Sequence, residues 1–333
     1  MSHKVLVTGG AGYIGSHAVI ELYNKGYIPI IIDNLSNTDG GSISNINKLI
    51  GNNFIFYEAD IGNENKIKNI LKDHQNIFSV IHFAGSKSVE ESVINPDIYY
   101  QNNVSNTISF LKSLSETNIK NFIFSSSASV YSEEIKPPYS EISKVAYKSP
   151  YAHTKLLIEN ILESYSQLKS WNISVLRYFN PAGCHESCLL GEKLDTSKNL
   201  FPSIAKSILN SDIGIKVYGH DFETKDGTGV RDFIHVEDLV KAHIKTMEIS
   251  FKNKYEILNL GSGNGYSVLE VLQAFEDVIG KKIKFEKVEK RKGDVAMSVA
   301  DTTKSRELLN FIPSKNLYEM CKDTLNWAKK CSS

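Results

Sequence analysis

The sequence predicts an α/β protein: a doubly wound parallel sheet with a smaller C-terminal α/β domain. Three observations carry that prediction. Short apolar runs recur through the first half without strict alternation, the pattern of parallel strands covered on both faces. Amphipathic stretches separate most of them, which makes a βαβ series. A glycine-rich turn follows the first run and opens the first helix.

In chain order the predicted strands are "KVLVT" (4–8), "IPIIID" (28–33), "FIFYEAD" (54–60), "SVIHFAG" (79–85), "NFIFSSS" (121–127) and "ISVLRYF" (173–179). Predicted helices cover 15–25, 64–75, 97–117 and 151–169, and the Asn-rich stretch 43–53 has the apolar spacing of a helix leading into a strand. From about 180 the pattern loosens into loops around a helix near 200–210. "YEILNLGSG" (255–263) reads as one more sheet strand, 267–280 is amphipathic, and a last helix spans about 317–330. The expected division is a first domain over 1–179, rejoined around 236–263, and a second over 180–235 and 264–333.

Length and charge narrow the function. The chain has 333 residues, enough for a sizeable core, and is 41% hydrophobic. Lys plus Arg and Asp plus Glu balance at 38 each, so no global charge draws it to nucleic acid or an anionic membrane. No run of about 18 apolar residues suggests a membrane span. "MSHKVLVTGG" lacks the long apolar region of a secretory signal. The cysteines are Cys184, Cys188, Cys321 and Cys331, too few for a disulfide scaffold. "CHESC" (184–188) has no second Cys/His pair at ligand spacing, so no metal is expected. A reduced, cytoplasmic protein is the expectation.

"TGGAGYIG" (8–15) contains Gly9, Gly12 and Gly15 between the first strand and the first helix. Glycine there permits a tight turn, close approach to a pyrophosphate, and close packing of helix on sheet. The helix N-terminus adds N–H donors and a positive dipole end. Asp33 ends the second strand 18 residues past Gly15. An acid there binds the adenosine 2′-hydroxyl and repels a 2′-phosphate, which favours NAD over NADP. The competing reading is a strand-end acid capping a turn. Asp60, ending the third strand, is a candidate for the adenine or for a turn. These features make the sheet Rossmann-type.

"SPYAHTK" (149–155) supplies the chemistry. Ser149 suits an N-cap and Pro150 the first helical position. Tyr151 and Lys155 then share one helical face. A free tyrosine has a pKa of about 10, a poor base at neutral pH. An ammonium, a nicotinium ring and a helix N-terminus all favour its phenolate. Lowering it by about 3 units takes roughly 4 kcal/mol, within reach of two close cations in a dry site. "SSSASVY" (125–131) offers a serine hydroxyl for the same substrate oxygen.

Together with "VLVTGGAGYIGSH", "DNLSN", "VIHFAG", "FIFSSSASVY", "LRYFNPAG", "DGTGVRDFIHVEDL", "LNLGSGNGYSVLEV" and "RKGDVA", the sequence resembles the extended short-chain dehydrogenase/reductases over about 4–330. Within them it is similar to the enzymes that epimerise UDP-glucose and UDP-galactose at C4′. The resemblance implies a catalytic trio of Ser127, Tyr151 and Lys155. It implies NAD contacts from Tyr13, Ile14, Asp33, Asn34, Asn37, Asp60, Ile61, Phe83, Ala84, Lys87, Asn102 and Phe179. Asn180, Asn199 and Arg231 would hold the nucleotide sugar, with Arg291 and Asp294 near the uridine and its ribose. Tyr151 would take the 4′-hydroxyl proton as the C4′ hydride passes to NAD and returns on the other face, with no net redox. Lys155 would hold the nicotinamide ribose, and Ser127 would orient O4′. The resemblance also implies a homodimer, formed by helices 97–117 and 151–169 pairing across a twofold axis.

Three departures stand out, of which the third bears most on function. Ser132 follows Tyr131 where the family usually has glycine, and Lys198 stands before Asn199 where asparagine is expected. Ser298 is small where enzymes confined to glucose and galactose carry a large residue, so N-acetylated UDP-sugars are expected to be accepted. A 4,6-dehydratase of the same fold would need an Asp-Glu pair after the serine strand, where this chain has Ala128 and Ser129. A non-catalytic NAD-sensing protein would not need Ser127, Tyr151 and Lys155 together.

Overall fold

A computed structural model describes residues 3–38, 40–210, 214–291 and 293–332. In order it runs β1 (Lys4–Thr8), α1 (Tyr13–Asn24), β2 (Ile28–Asp33), α2 (Gly41–Ile50), β3 (Ile55–Glu58), α3 (Glu64–Asp73) and β4 (Ile77–His82). Then come α4 (Val89–Ile94), α5 (Pro96–Tyr99), a π-helical turn (Tyr100–Ser105) and α6 (Asn106–Ser115). β5 (Asn121–Ser125), a 3-10 turn (Ala128–Val130), α7 (Pro150–Lys169) and β6 (Asn172–Tyr178) follow. Next are β7 (Asn180–Ala182), α8 (Leu200–Leu209), β8 (Ile215–Tyr218), β9 (Val230–His235), α9 (Val236–Glu248) and β10 (Tyr255–Leu260). The chain continues through β11 (Gly265–Ser267), α10 (Val268–Ile279), β12 (Phe285–Val288), β13 (Met297–Ser298), α11 (Thr303–Leu309) and α12 (Leu317–Ser332).

Two compact units result. The first comprises Met1–Ser132, Lys144–Arg177 and Val240–Leu258; the second comprises Glu133–Ser143, Tyr178–Leu239 and Asn259–Ser333. The expected first domain held 133–143, yet that segment groups with the second unit. It is tied there by backbone bonds: Tyr139 N–H to Val299 O at 2.8 Å and Asp301 N–H to Tyr139 O at 2.8 Å.

The first unit carries a sheet ordered β10-β6-β5-β4-β1-β2-β3. β1 to β6 pair in parallel. The chain winds outward from β1 in one direction to β3, then restarts at β4 on the other side. The β1/β4 boundary is therefore the switch point where such sheets bind ligands. Leu6, Ile30, Val80, Phe122 and Phe124 are buried against Ile67, Phe110, Leu114, Ile158 and Leu162 from the helices. Each such side chain contributes about 1.5–3 kcal/mol of apolar burial. The second unit has the small sheet β11-β9-β13, with β7 also on β9, and the ribbon β12-β8. Phe201, Ile204, Phe233, Leu272, Phe275 and Met320 form its core.

Several predicted boundaries shift. The predicted strands 79–85 and 121–127 end at His82 and Ser125, freeing Phe83–Gly85 and Ser126–Ser127 for loops. The helix predicted over 97–117 is broken by the π-helical turn. There the Asn103 side chain accepts from Ser86 N–H at 2.7 Å and donates to Ser86 O at 3.0 Å. These loop contacts interrupt the regular helix, and apolar periodicity does not register them. α4, β7, β8, β9, α9, β11, β12, β13 and α11 had no sequence prediction; strands of two to six residues show little periodicity.

Candidate active site

The glycine loop is built around contacts that exclude side chains. A Cβ on Gly9, which has φ +70°, would lie 2.6 Å from Ala84 N, and one on Gly15 would lie 2.1 Å from Gly9 O. Those two glycines let β1, the loop after β4 and α1 meet. Gly12 differs: a Cβ there would have only Gly9 O near it, at 3.2 Å. The space beside the N-cap of α1 is thus a cradle that a side chain would fill. No side chain caps α1. Its first-turn N–H groups lack intrahelical acceptors, as in every helix. Tyr13 and Ile14 form that turn. A diphosphate fits such a cradle by charge and by size.

Asp33 closes one wall of this region. Its Oδ2 accepts from Ala11 N–H and its Oδ1 from Leu35 N–H, both at 2.9 Å. Burial raises its pKa and these two backbone donors pull it back. Each oxygen keeps a lone pair for ribose hydroxyls. Asp60 is taken up by donors from three segments: Asn34 Nδ2 at 2.7 Å, Gly62 N–H at 2.7 Å and Asn106 Nδ2 at 3.0 Å. It therefore joins the ends of β2 and β3 to α6. Ile61 beside it is buried. Asn37 and Lys87 are exposed. Phe83 N–H donates to Thr8 O at 3.0 Å and its ring lies 5.1 Å from that of His243. Asn102 Nδ2 donates to Ser86 Oγ at 2.9 Å.

Ser127 leaves β5 in extended geometry and caps the 3-10 turn, with Ser129 Oγ donating to its Oγ at 2.9 Å. Ser149 caps α7, accepting from Ala152 N–H at 3.2 Å, with Pro150 at the first position. That cap starts the helix so that Tyr151 and Lys155 both point inward; they are 5% and 7% exposed. Lys155 Nζ donates to Ser125 O at 2.8 Å and lies 5.9 Å from the Tyr151 ring centroid. Burial pushes the Lys155 pKa down to about 8, while Glu159 pushes it back up. The ammonium is retained at neutral pH, so a phenol and a cation share one dry helical face.

In the second unit, Arg231 on β9 is opposite Ser298 on β13. Its NH2 lies 3.5 Å from Asp294 Oδ1. Asp294 N–H donates to Arg291 O at 3.1 Å, and the Arg291 guanidinium stacks 4.0 Å from the Tyr218 ring. Arg231, Arg291, Asp294 and Ser298 thus form one neighbourhood. Asn180 Nδ2 donates to Asp232 O at 2.8 Å, Asn199 Nδ2 to Glu192 Oε1 at 2.8 Å, and buried Phe179 has its N–H on Leu260 O at 2.9 Å.

Sequence reasoning missed two features of the first unit. His82 bridges Thr8 Oγ1 at 2.7 Å and Thr107 Oγ1 at 3.1 Å, tying β1, β4 and α6 together. Burial, with Lys155 nearby, pushes its pKa down to about 3, so it is neutral. Glu159 and Arg177 form a buried ion pair at 2.6 Å. The signals were present: a polar residue inside "VIHFAG", an arginine inside the apolar run "ISVLRYF", and a carboxylate four residues after Lys155.

Fold and glycine loop define a dinucleotide-binding α/β protein, and comparison with known proteins narrows this. The NAD dependent epimerase/dehydratase family matches residues 5–261. The UDP-glucose 4-epimerase of Bacillus subtilis (strain 168) is 40% identical over 97% of this chain and 96% of that protein. The crystal structure of UDP-glucose-4-epimerase from Stenotrophomonas maltophila, with bound NAD and formylated UDP-arabinopyranose, superposes with a TM-score of 0.95. It is 39% identical and covers 99% of both chains. The UDP-Glc/GlcNAc 4-epimerase from Campylobacter jejuni gives a TM-score of 0.86 at 33% identity, covering 99% of this chain and 100% of that one. The chain belongs to the NAD dependent epimerase/dehydratase family, among its UDP-glucose 4-epimerases.

Proposed function

We propose that the protein interconverts UDP-glucose and UDP-galactose at C4′, using NAD. The observation that carries the reading is the buried Lys155 ammonium on the same helical face as Tyr151, with Ser127 at the turn that ends β5. Bound NAD would supply the acceptor, and then the donor, of the C4′ hydride. Tyr151, as phenolate, takes the proton from the 4′-hydroxyl and later returns it. Lys155 holds the phenolate form by charge and donates to the nicotinamide ribose. The Ser127 hydroxyl orients O4′. Around the dinucleotide we assign the Gly9–Gly15 cradle to the diphosphate and Asp33 to the adenosine ribose. Tyr13, Ile14, Asn34, Asn37, Asp60, Ile61, Phe83, Ala84, Lys87, Asn102 and Phe179 complete that set. For the sugar nucleotide we assign Asn180, Asn199, Arg231, Arg291 and Asp294, with the guanidiniums on phosphate or uridine. The first unit is thus read as NAD-binding, and the second as nucleotide-sugar-binding.

The test is direct. Purified protein incubated with UDP-glucose, UDP-galactose, UDP-GlcNAc and UDP-GalNAc should yield the 4′-epimers. Tyr151→Phe should still bind NAD while turnover falls about 1,000-fold, in the range of a lost general base. Full activity in that variant would overturn the mechanism.

Small Ser298 supports acceptance of the acetylated pair, since a serine leaves room that a phenol would fill. We also propose a homodimer. Apolar side chains on the described surfaces of α4 to α7 support it: Val93, Ile94, Ile98 and Leu168 are 53–84% exposed. A monomer mass by light scattering at micromolar protein would refute it. Free thiols at Cys184, Cys188, Cys321 and Cys331 suit the cytoplasm, which cell fractionation would check. Among the described residues no helix is long and apolar enough to cross a membrane.

A further inference from the structure

Lys155 is not the only charged group that α7 directs inward. Glu159 lies one turn further along the same face and is 2% exposed. Its carboxylate accepts from Ser126 Oγ at 2.5 Å and from the Arg177 guanidinium, at 3.1 and 3.2 Å from Nε and 2.6 Å from NH2. Its backbone carbonyl accepts from Tyr255 OH at 3.0 Å. Arg177, on β6, is covered on its other side by Tyr131, whose ring lies 5.0 Å from the guanidinium.

Consecutive helical turns therefore grip consecutive residues at the end of β5. Lys155 holds Ser125 through its carbonyl, Glu159 holds Ser126 through its hydroxyl, and Ser127 comes next. Ser126 N–H is also bonded to Leu176 O at 2.8 Å, beside Arg177.

We propose that Glu159 is a positioning residue for the epimerisation. It fixes the β5 turn that presents Ser127, and its negative charge keeps Lys155 an ammonium in a buried site. The inference rests on the roles given above to Ser127, Tyr151 and Lys155. Arg177 in turn supplies the counter-charge that a carboxylate buried to this degree requires.

The groups facing Lys155 leave Glu159 as the charge that works for it. On α7 these are Tyr151 and Glu159. From β4 comes His82, which is neutral, and from β5 the uncharged Phe124 ring, 4.8 Å from Nζ. His243 of α9 reaches Ser125 Oγ at 3.2 Å. Arg177 of β6 and Tyr255 of β10 bind Glu159, and Tyr131, which follows the 3-10 turn, lies against Arg177. Glu159 opposes the downward push of burial on Lys155.

Glu159→Gln tests this, because it removes the charge and keeps an acceptor for Ser126. In NAD-saturated, full-length protein with 13C-labelled lysine, the Lys155 Cε resonance, assigned through Lys155→Met, is titrated in parent and variant. Its midpoint should fall by about one pH unit or more. The alkaline limb of kcat should move down with it, and KM for the UDP-sugar should stay within twofold. An unmoved Lys155 midpoint overturns the inference, as does a raised KM with kcat intact. Should Glu159→Gln fail to fold, Glu159→Gln with Arg177→Met leaves no unpaired buried charge. There the midpoint should still fall by a smaller amount, and a midpoint at or above the parent's overturns the inference. A parent that lacks epimerase activity but shows the shift would overturn the epimerase reading and leave the role of Glu159 standing.

Discussion

Each unit of the molecule holds an arginine–carboxylate pair, and the two are built for different ends. Arg177 and Glu159 are 4% and 2% exposed and meet at 2.6 Å; Arg231 and Asp294 are 23% and 31% exposed and stand 3.5 Å apart. Burial lowers the pKa of both arginines. At Arg177, Glu159 more than reverses the effect, whereas at Arg231 the pull of Asp294 and Tyr139 does not. The first guanidinium is fully compensated by its own protein. The second is partly exposed, and its carboxylate partner stands farther off. Partner geometry, more than residue type, separates the two arginines.

Truncation should break the comparison if it is wrong. Arg177→Met leaves Glu159 buried and unpaired, so denaturant unfolding should show a loss of about 3–5 kcal/mol. Arg231→Met should cost less than about 1 kcal/mol by the same measurement, because its ion pair is partly exposed and long. Its effect belongs in steady-state kinetics instead, as a KM for UDP-glucose raised at least about tenfold. Equal stability losses in the two variants would erase the distinction. The most selective effect should come from Ser298→Tyr, opposite Arg231. It should spare stability and the glucose/galactose pair while lowering kcat/KM for the acetylated pair by about 10–200-fold, the range for a group that no longer fits. An acetylated-pair rate untouched by tyrosine would end the proposal that this position gates the sugar.

The two units also differ in how far the chain announced them. In the first, strand, glycine turn, helix and strand-end acid lie within 30 residues of one another, and "SPYAHTK" carries its own cap. Local rules of helix starts and apolar periodicity suffice there. Glu159 and Arg177 escaped notice because one is on α7 and the other on β6. Neither looks important until the sheet sets them side by side. In the second unit, Arg231 comes from a segment far along the chain from Asp294 and Ser298, and β13 is two residues long. No periodicity marks such an element. Only pairing with β9 makes it a strand, and that pairing brings Ser298 opposite Arg231.

By itself the sequence determined the α/β class, the doubly wound sheet, the glycine cradle and the Tyr151–Lys155 face, since each depends on neighbours within a turn or a strand. Tertiary structure alone decided which groups are desolvated together. It set Lys155 beside Glu159 rather than in water, held His82 neutral between two threonines, and left Arg231 with a longer, partly exposed ion pair. Those outcomes follow from burial and from distances across the sheet, and a linear chain specifies neither until it is folded.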